Sequence, residues 1–295
     1  MVRKKDGTVR YCIDFRALNL KTVKDLFPLP SISLCLDQLS KNMFFSTLDM
    51  ASGYWQIEID EKDRHKTAFI TKFGLFEHQR MAFGLCNAPA TFQRVIQFVL
   101  RGLTWNKILA YLDNVVVLGQ SFRDHLANLR LTFERFRKYN LKLKPKKCSL
   151  FNTETLFLGK IVSRDGVSVN PENIEKVKNW PVPGSVKDVE KFLGFLNYHR
   201  EHIPGYAELT STLYELTGSK AVFQWNDERQ TVFENLKQKL ISSPILSYPN
   251  PNDVFILDTD ASNTAIGAVL SQIQDDVERV VSYGSFVLPR KENIV

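Results

Sequence analysis

Cysteine is scarce in this sequence. The four residues Cys12, Cys35, Cys86 and Cys148 include no C-x-x-C pair, so neither a zinc ribbon nor a dithiol redox motif has its ligands. The N-terminus is charged and does not read as a secretory leader, so reduced thiols in an intracellular protein, cytoplasmic or nuclear, are the plain expectation. Histidine is almost as rare, at five residues. Only His199 and His202 stand close together; on a helix they share a face, but no third ligand accompanies them. No apolar run approaches the ~18–20 residues of a spanning helix, so no membrane segment is expected. No repeat or low-complexity tract stands out, and glycine and proline are too few for a collagen-like chain.

What remains is ordinary globular material with a basic balance. Hydrophobic residues make up 44% and charged residues 24%, and the formal net charge is +7. With 21 Phe, 9 Tyr and 4 Trp, a basic aromatic-rich chain points to polyanionic partners, nucleic acid first among them. A length of 295 residues suggests two or three compact units at roughly 100–200 residues each.

Asp6-Gly7 between strand-like segments predicts a hairpin over Arg3–Phe15 with a cationic tip. Pro28-Leu29-Pro30 precedes a short helix near Ser33–Leu39. Phe44–Asp49 and Trp55–Ile59 read as strands, and Lys66–Ile70 with Leu75–Gln79 as a hairpin. Asn87–Leu100 has helical spacing with Pro89 in its first turn. Ile108–Leu112 and Val115–Leu118 form a tight hairpin with Asp113-Asn114 as its turn, and Ser121 caps a helix running to Tyr139. Leu156–Val162 reads as a strand, Glu172–Ile241 as mainly helical, and Val254–Leu257, Ala265–Leu270 and Val280–Phe286 as strands beyond a linker at Pro244–Pro251.

Asp49 ends a strand and Asp113 sits at a hairpin tip. Carboxylates so placed offer hard oxygen ligands to Mg²⁺, which prefers them and shares its remaining positions with water and substrate phosphates. The plain alternative is that each acid merely terminates a strand. The tract Arg130–Leu150 carries Arg130, Arg135, Arg137, Lys138, Lys142, Lys144, Lys146 and Lys147 against Glu134 alone, a surface suited to phosphates or simply to solvent.

Three segments follow in order: Thr47-Leu48-Asp49-Met50-Ala51-Ser52-Gly53-Tyr54-Trp55-Gln56, Phe83-Gly84-Leu85-Cys86-Asn87-Ala88-Pro89-Ala90-Thr91-Phe92-Gln93 and Tyr111-Leu112-Asp113-Asn114. With Arg3-Lys4-Lys5-Asp6-Gly7, Phe157-Leu158-Gly159, Phe192-Leu193-Gly194 and Thr259-Asp260-Ala261-Ser262 they closely resemble the reverse transcriptase region of gypsy-class long-terminal-repeat retrotransposon Pol polyproteins, over essentially the whole chain. The resemblance implies an α+β fold: right-hand polymerase fingers and palm over 1–163, a helical thumb or connector over 164–245, and a truncated ribonuclease H-like α/β unit over 246–295. It implies RNA-directed DNA synthesis on an RNA or DNA template with a primer, from deoxynucleoside triphosphates, with two Mg²⁺ ions or Mn²⁺ in their place. Asp49 and Asp113 match the metal-binding carboxylates. Tyr54 matches the aromatic that excludes a ribose 2′-OH. Lys4 and Arg10 match the cations on the triphosphate, with Phe83 and Gly84 by the nucleotide pocket. Gln93 falls near the template, Leu158 and Gly159 match the primer grip, and Lys144, Lys146 and Lys147 fall by the template-primer.

The sequence also departs from that pattern. Asn114 stands where the family has a second consecutive Asp, so a catalytic position is degenerate and three carboxylates become two; loss of one preorganised group costs about 10²–10³-fold in rate. Ala82 replaces a usual Pro. The fingers are expected to lack their first strands, and Asp260 is expected to be a ribonuclease H relic whose partner acids lie past Val295, with Glu292 not corresponding to one of them. Two readings stay open: a polymerase with impaired activity and no ribonuclease H activity, and an inactive template-primer binding remnant or host-retained fragment. Oligomeric state is not legible.

Overall fold

The computed structural model describes residues 2–3, 7, 9–10, 12–218 and 221–288, and divides into two compact units, 1–155 and 156–295. In the first, β1 (Val2–Arg3) pairs with β2 (Val9–Arg10), and the short helices α1 (Arg16–Lys21) and α2 (Ile32–Asp37) follow. Then come β3 (Phe44–Asp49), α3 (Glu61–Arg64), the hairpin β4 (Phe69–Thr71) and β5 (Gly74–Phe76), and α4 (Ala88–Val99). The unit ends with β6 (Ile108–Tyr111), β7 (Asn114–Gly119), α5 (Phe122–Lys138) and β8 (Ser149–Asn152). The central sheet has the order β6-β7-β3-β8 and is antiparallel throughout.

This sheet is buried on both faces along β7, which explains why Val115 to Leu118 reads as a continuous apolar run. Val115 and Val117 pack with Ile96 and Phe92 of α4 and with Leu129 and Phe136 of α5, while Val116 and Leu118 are buried facing the other way. The sequence dictates the close crossing of α5. A Cβ on Gly119 would lie 2.4 Å from the Cβ and 2.6 Å from the Cα of His125, so only glycine lets the helix pass there. Ser121 caps that helix by accepting from the Asp124 amide, and the Ser46 hydroxyl lies 2.6 Å from His125 Nε2, tying α5 to β3.

In the second unit, β9 (Glu154–Phe157), β10 (Lys160–Ser163) and β11 (Gly166–Val169) form one sheet, with β9 straddling the division. Helices α6 (Pro171–Lys178), α7 (Val186–Tyr198), α8 (Tyr206–Tyr214) and α9 (Asp227–Ile241) follow, then the antiparallel sheet β12 (Phe255–Ala261), β13 (Ala265–Gln274) and β14 (Val277–Val287). The helices close on Val189, Phe192, Leu196, Leu213, Phe233 and Leu240, with the Phe192 and Phe233 rings 4.7 Å apart. Truncating a buried aromatic of this kind costs about 3–5 kcal/mol.

The α+β class matches expectation, and three local expectations do not. Trp55–Ile59 is not a strand: Ser52 adopts a left-handed φ of 52°, and Gly53–Gln56 winds into a 3-10 turn whose Gly53 sits against Phe92, where a Cβ would approach the ring to 2.9 Å. The β6–β7 turn is Leu112-Asp113, not Asp113-Asn114, because Asn114 already pairs with Tyr111 and Asp49. Leu156–Val162 is not one strand but two, broken by left-handed Leu158 and Gly159. In each case a backbone reversal falls on residues whose side chains still alternate as a strand's would.

Candidate active site

Asp49 is the last residue of β3, and its cross-strand neighbour on β7 is Asn114; Asp113 is exposed on the turn just before it. Antiparallel register therefore gathers both acids and the degenerate amide at one end of the sheet. The turn is held under strain. Leu112 has φ 54°, a region a bulky residue rarely adopts and that costs about 1–3 kcal/mol. Its amide donates to Gln93 Oε1 at 2.7 Å, while Gln93 Nε2 donates to the Ala110 carbonyl at 3.1 Å. Gln93, expected near the template, is fully buried and its amide group spans the base of the Asp113 turn.

The lysine segment is stitched to the same strand end. Ala51 N donates to the Lys142 carbonyl and Lys144 N to the Asp49 carbonyl, and both ends of the Gln56 amide bond the Lys142 backbone. Lys144 and Lys146 are exposed. Lys147 instead turns its ammonium onto Asp49 Oδ2 at 3.1 Å. A cation thus already sits on one of the two acids, and the donors around it are carboxylate and amide oxygens, the chemistry Mg²⁺ and Mn²⁺ accept. Among the described residues no three His, Cys, Asp or Glu side chains cluster as a metal site.

Tyr54 packs against Phe83 at 5.0 Å and edge-on to Phe92 at 5.5 Å. Burial raises its phenol pKa, and the Asp113 charge pushes the same way. Gly84 has φ 98°, and the loop that contains it is clamped from a distant segment. Asn19 donates to the Gly84 carbonyl and accepts from the Cys86 amide; Asn87 donates to the Val23 carbonyl and accepts from the Asp25 amide. These reciprocal asparagines were missed by sequence reasoning, since nothing local marks an amide whose partners lie more than 60 residues away. Lys4 lies outside the described residues, and of Arg10 only the strand backbone is described.

Of the basic tract, Arg130, Arg137 and Lys138 are exposed on α5, whereas Arg135 donates to the Val99 carbonyl at the end of α4. In the second unit, Leu158 (φ 47°) and Gly159 (φ 78°) form the β9–β10 turn, and Asp260 is exposed on β12 opposite Gly267. His199 and His202 are fully buried beside one another, and among the described residues they belong to no metal-binding group of three or more His, Cys, Asp or Glu side chains. Among the described residues no disulfide joins the cysteines, and no helix is long and apolar enough to cross a membrane.

Compared with solved structures, the chain resembles the foamy viral protease-reverse transcriptase dRH in complex with double-stranded DNA, with a TM-score of 0.88 at 25% identity over 98% of this chain and 51% of that one. Its mixed helix and sheet architecture is that of a polymerase fold. Residues 2–162 match the family described as reverse transcriptase (RNA-dependent DNA polymerase), more than half of the chain, and the chain belongs to that family. Residues 225–294 match the RNase H-like domain found in reverse transcriptase. Its relatives are Pol polyproteins of long-terminal-repeat retrotransposons. The retrovirus-related Pol polyprotein from transposon 297 of Drosophila melanogaster is 41% identical over 89% of this chain and 25% of its own length. That from transposon 412 of the same organism is 38% identical over 96% of this chain and 23% of its length. The chain thus spans about a quarter of these relatives.

Proposed function

We propose that this chain is an RNA-directed DNA polymerase module that extends a primer 3′-OH on an RNA or DNA template, with fingers and palm over 1–163, a helical thumb or connector over 164–245 and a ribonuclease H-like unit from 246. The observation that carries the reading is the register that sets Asp49 of β3 beside the Asp113 turn, with the Tyr54 ring, packed on Phe83, within reach of the Asp113 charge. Asp49, Asp113 and the amide oxygen of Asn114 would hold the divalent cations. When bound, Mg²⁺ or Mn²⁺ supplies activation of the attacking hydroxyl and neutralisation of the leaving pyrophosphate. Gln93 fixes the strained turn so that Asp113 needs no reorganisation. The Tyr54 ring, braced by Phe83 and Phe92, closes the floor under the sugar against a 2′-OH, which selects deoxynucleotides. Lys4 and Arg10 would take the triphosphate, Arg through its planar fork and Lys as a point charge. Exposed Lys144 and Lys146 with the α5 arginines face template-primer phosphates, and Leu158-Gly159 holds the primer. In this proposal the protein works in the cytoplasm or nucleus.

One observation favours a second reading, an inactive template-primer binding protein: the residue facing Asp49 across the strands is Asn114, not an acid. Primer extension with the purified chain in Mg²⁺ and in Mn²⁺ decides between them. Nucleotide addition that Asp113→Ala abolishes supports the enzyme. Salt-sensitive hybrid binding with no addition under any condition supports the second reading, and absence of both defeats the two together.

The Lys147–Asp49 pair makes a further outcome measurable without turnover. A metal entering at Asp49 must displace the ammonium, so Lys147→Gln should tighten Mn²⁺ binding by roughly two- to fivefold by calorimetry, the scale of a partly exposed charge pair. Equal affinity in the two proteins would show that Lys147 does not compete for the site.

A further inference from the structure

We propose that Tyr198 is a positioning residue for the primer terminus, acting through the Leu158-Gly159 turn; this rests on the polymerase reading above. Both central residues of that turn have positive φ, the pattern of a two-residue hairpin of the primed kind, in which the carbonyl of the first central residue has no place in the strand ladder. Here that carbonyl is taken: the Tyr198 hydroxyl, at the last residue of α7, donates to it. The tyrosine also lies directly against the next residue, where a Cβ on Gly159 would stand 3.3 Å from the phenol oxygen. The residue after that, Lys160, is 4% exposed and pairs through Nζ with Glu201 Oε2 at 2.9 Å, in the 3-10 turn that follows α7. A buried ammonium is stable only while so paired. The His199 ring is edge-on to Tyr198 at 4.9 Å and is itself packed against Phe195 at 5.3 Å, which limits rotation of the phenol. Three successive residues of the hairpin are therefore bolted to one helix end.

A turn held this way presents its backbone to a primer in one conformation. Affinity for template-primer spreads over many phosphates, whereas correct placement of one 3′-terminus depends on this turn, and a displacement near 1 Å can cost about 10²-fold in rate. Loss of the hydroxyl should therefore disturb the terminus and spare binding.

The test uses the full chain and a template-primer carrying 2-aminopurine either at the primer 3′-terminus or several base pairs upstream. For Tyr198→Phe, which keeps the ring, the expected result is affinity within about twofold of the unaltered chain, an altered terminal fluorescence and an unchanged upstream signal. Glu201→Gln, checked for folding by its melting temperature, should shift the terminal signal the same way. Where the unaltered chain extends primers, kcat should fall with KM for the template-primer nearly constant. Unaltered terminal fluorescence in Tyr198→Phe, with binding intact, overturns the proposal. Equal disturbance at both positions with lost affinity also overturns it, since Tyr198 would then only support the fold. Failure of the unaltered chain to bind any template-primer defeats the polymerase reading itself.

Discussion

Primer extension by the Asn114→Asp chain in Mg²⁺ is expected to exceed that of the unaltered chain by about 10²–10³-fold, the usual scale for one preorganised electrostatic group. The charges at the sheet end give the reason. Asp49 and Asp113 contribute two negative charges, Lys147 offsets one of them, and Asn114 contributes none. Divalent cations and a triphosphate are then offered a site with little net charge to hold them. An aspartate at position 114 faces Asp49 directly across the strands, and without metal the like-charged pair is destabilising by up to about 1 kcal/mol. The substitution should therefore lower the melting temperature in chelator and raise it more steeply with added Mg²⁺ than in the unaltered chain. These readouts are independent: one follows nucleotide addition, the other the folded protein alone. Asp113→Ala in the Asn114→Asp background should remove both gains. An Asn114→Asp protein with neither faster extension nor a steeper metal response would show that the missing charge is not the defect.

Much of this site was legible in the sequence, because its parts are local. A strand ending in Asp49, a hairpin of β-branched residues around Asp113 and a helix beginning near Pro89 each follow from patterns a few residues long. What could not be read depends on partners far along the chain or on backbone that contradicts its side chains. Leu112 and Leu158 are apolar residues in strand-like surroundings, yet both turn left-handed, and only the Gln93 and Tyr198 bonds make those turns intelligible. Gln93 looks like a polar residue on an amphipathic helix; its burial follows from the sheet end that α4 covers. Lys147 sits in a basic run that reads as a uniform phosphate-facing surface, and only the bridge between Met50 and Leu143 turns it towards Asp49. The pair His199 and His202, close together in a sequence that offers them no third ligand, is packed, because α7 ends where its neighbours close over it.

That packing has a consequence in acid. Burial holds His199 and His202 neutral, with pKa values lowered from 6.5 to about 4; the nearby Lys160 ammonium pushes the same way and Glu201 opposes it. In the unfolded chain both titrate near 6.5. At neutral pH neither state binds the protons and the histidines are without effect. Between about pH 6.5 and 4 the unfolded chain takes up protons that the folded one refuses, so stability falls as pH falls. Linkage puts the loss at ~2 kcal/mol per histidine by pH 5 and ~3 kcal/mol once both states are protonated. Together they remove a large part of the ~5–15 kcal/mol that holds an ordinary domain. Hydrogen exchange along α7 in urea, compared at pH 7 and pH 5, reads this loss in the unit that carries the pair. His199→Gln and His202→Gln each carry their own packing cost at both pH values, so only the difference between the two conditions matters. That difference should shrink by ~2 kcal/mol in each variant. A difference as large as in the unaltered chain would mean that other groups, such as the buried His78 and His125 of the first unit, set the acid limb instead.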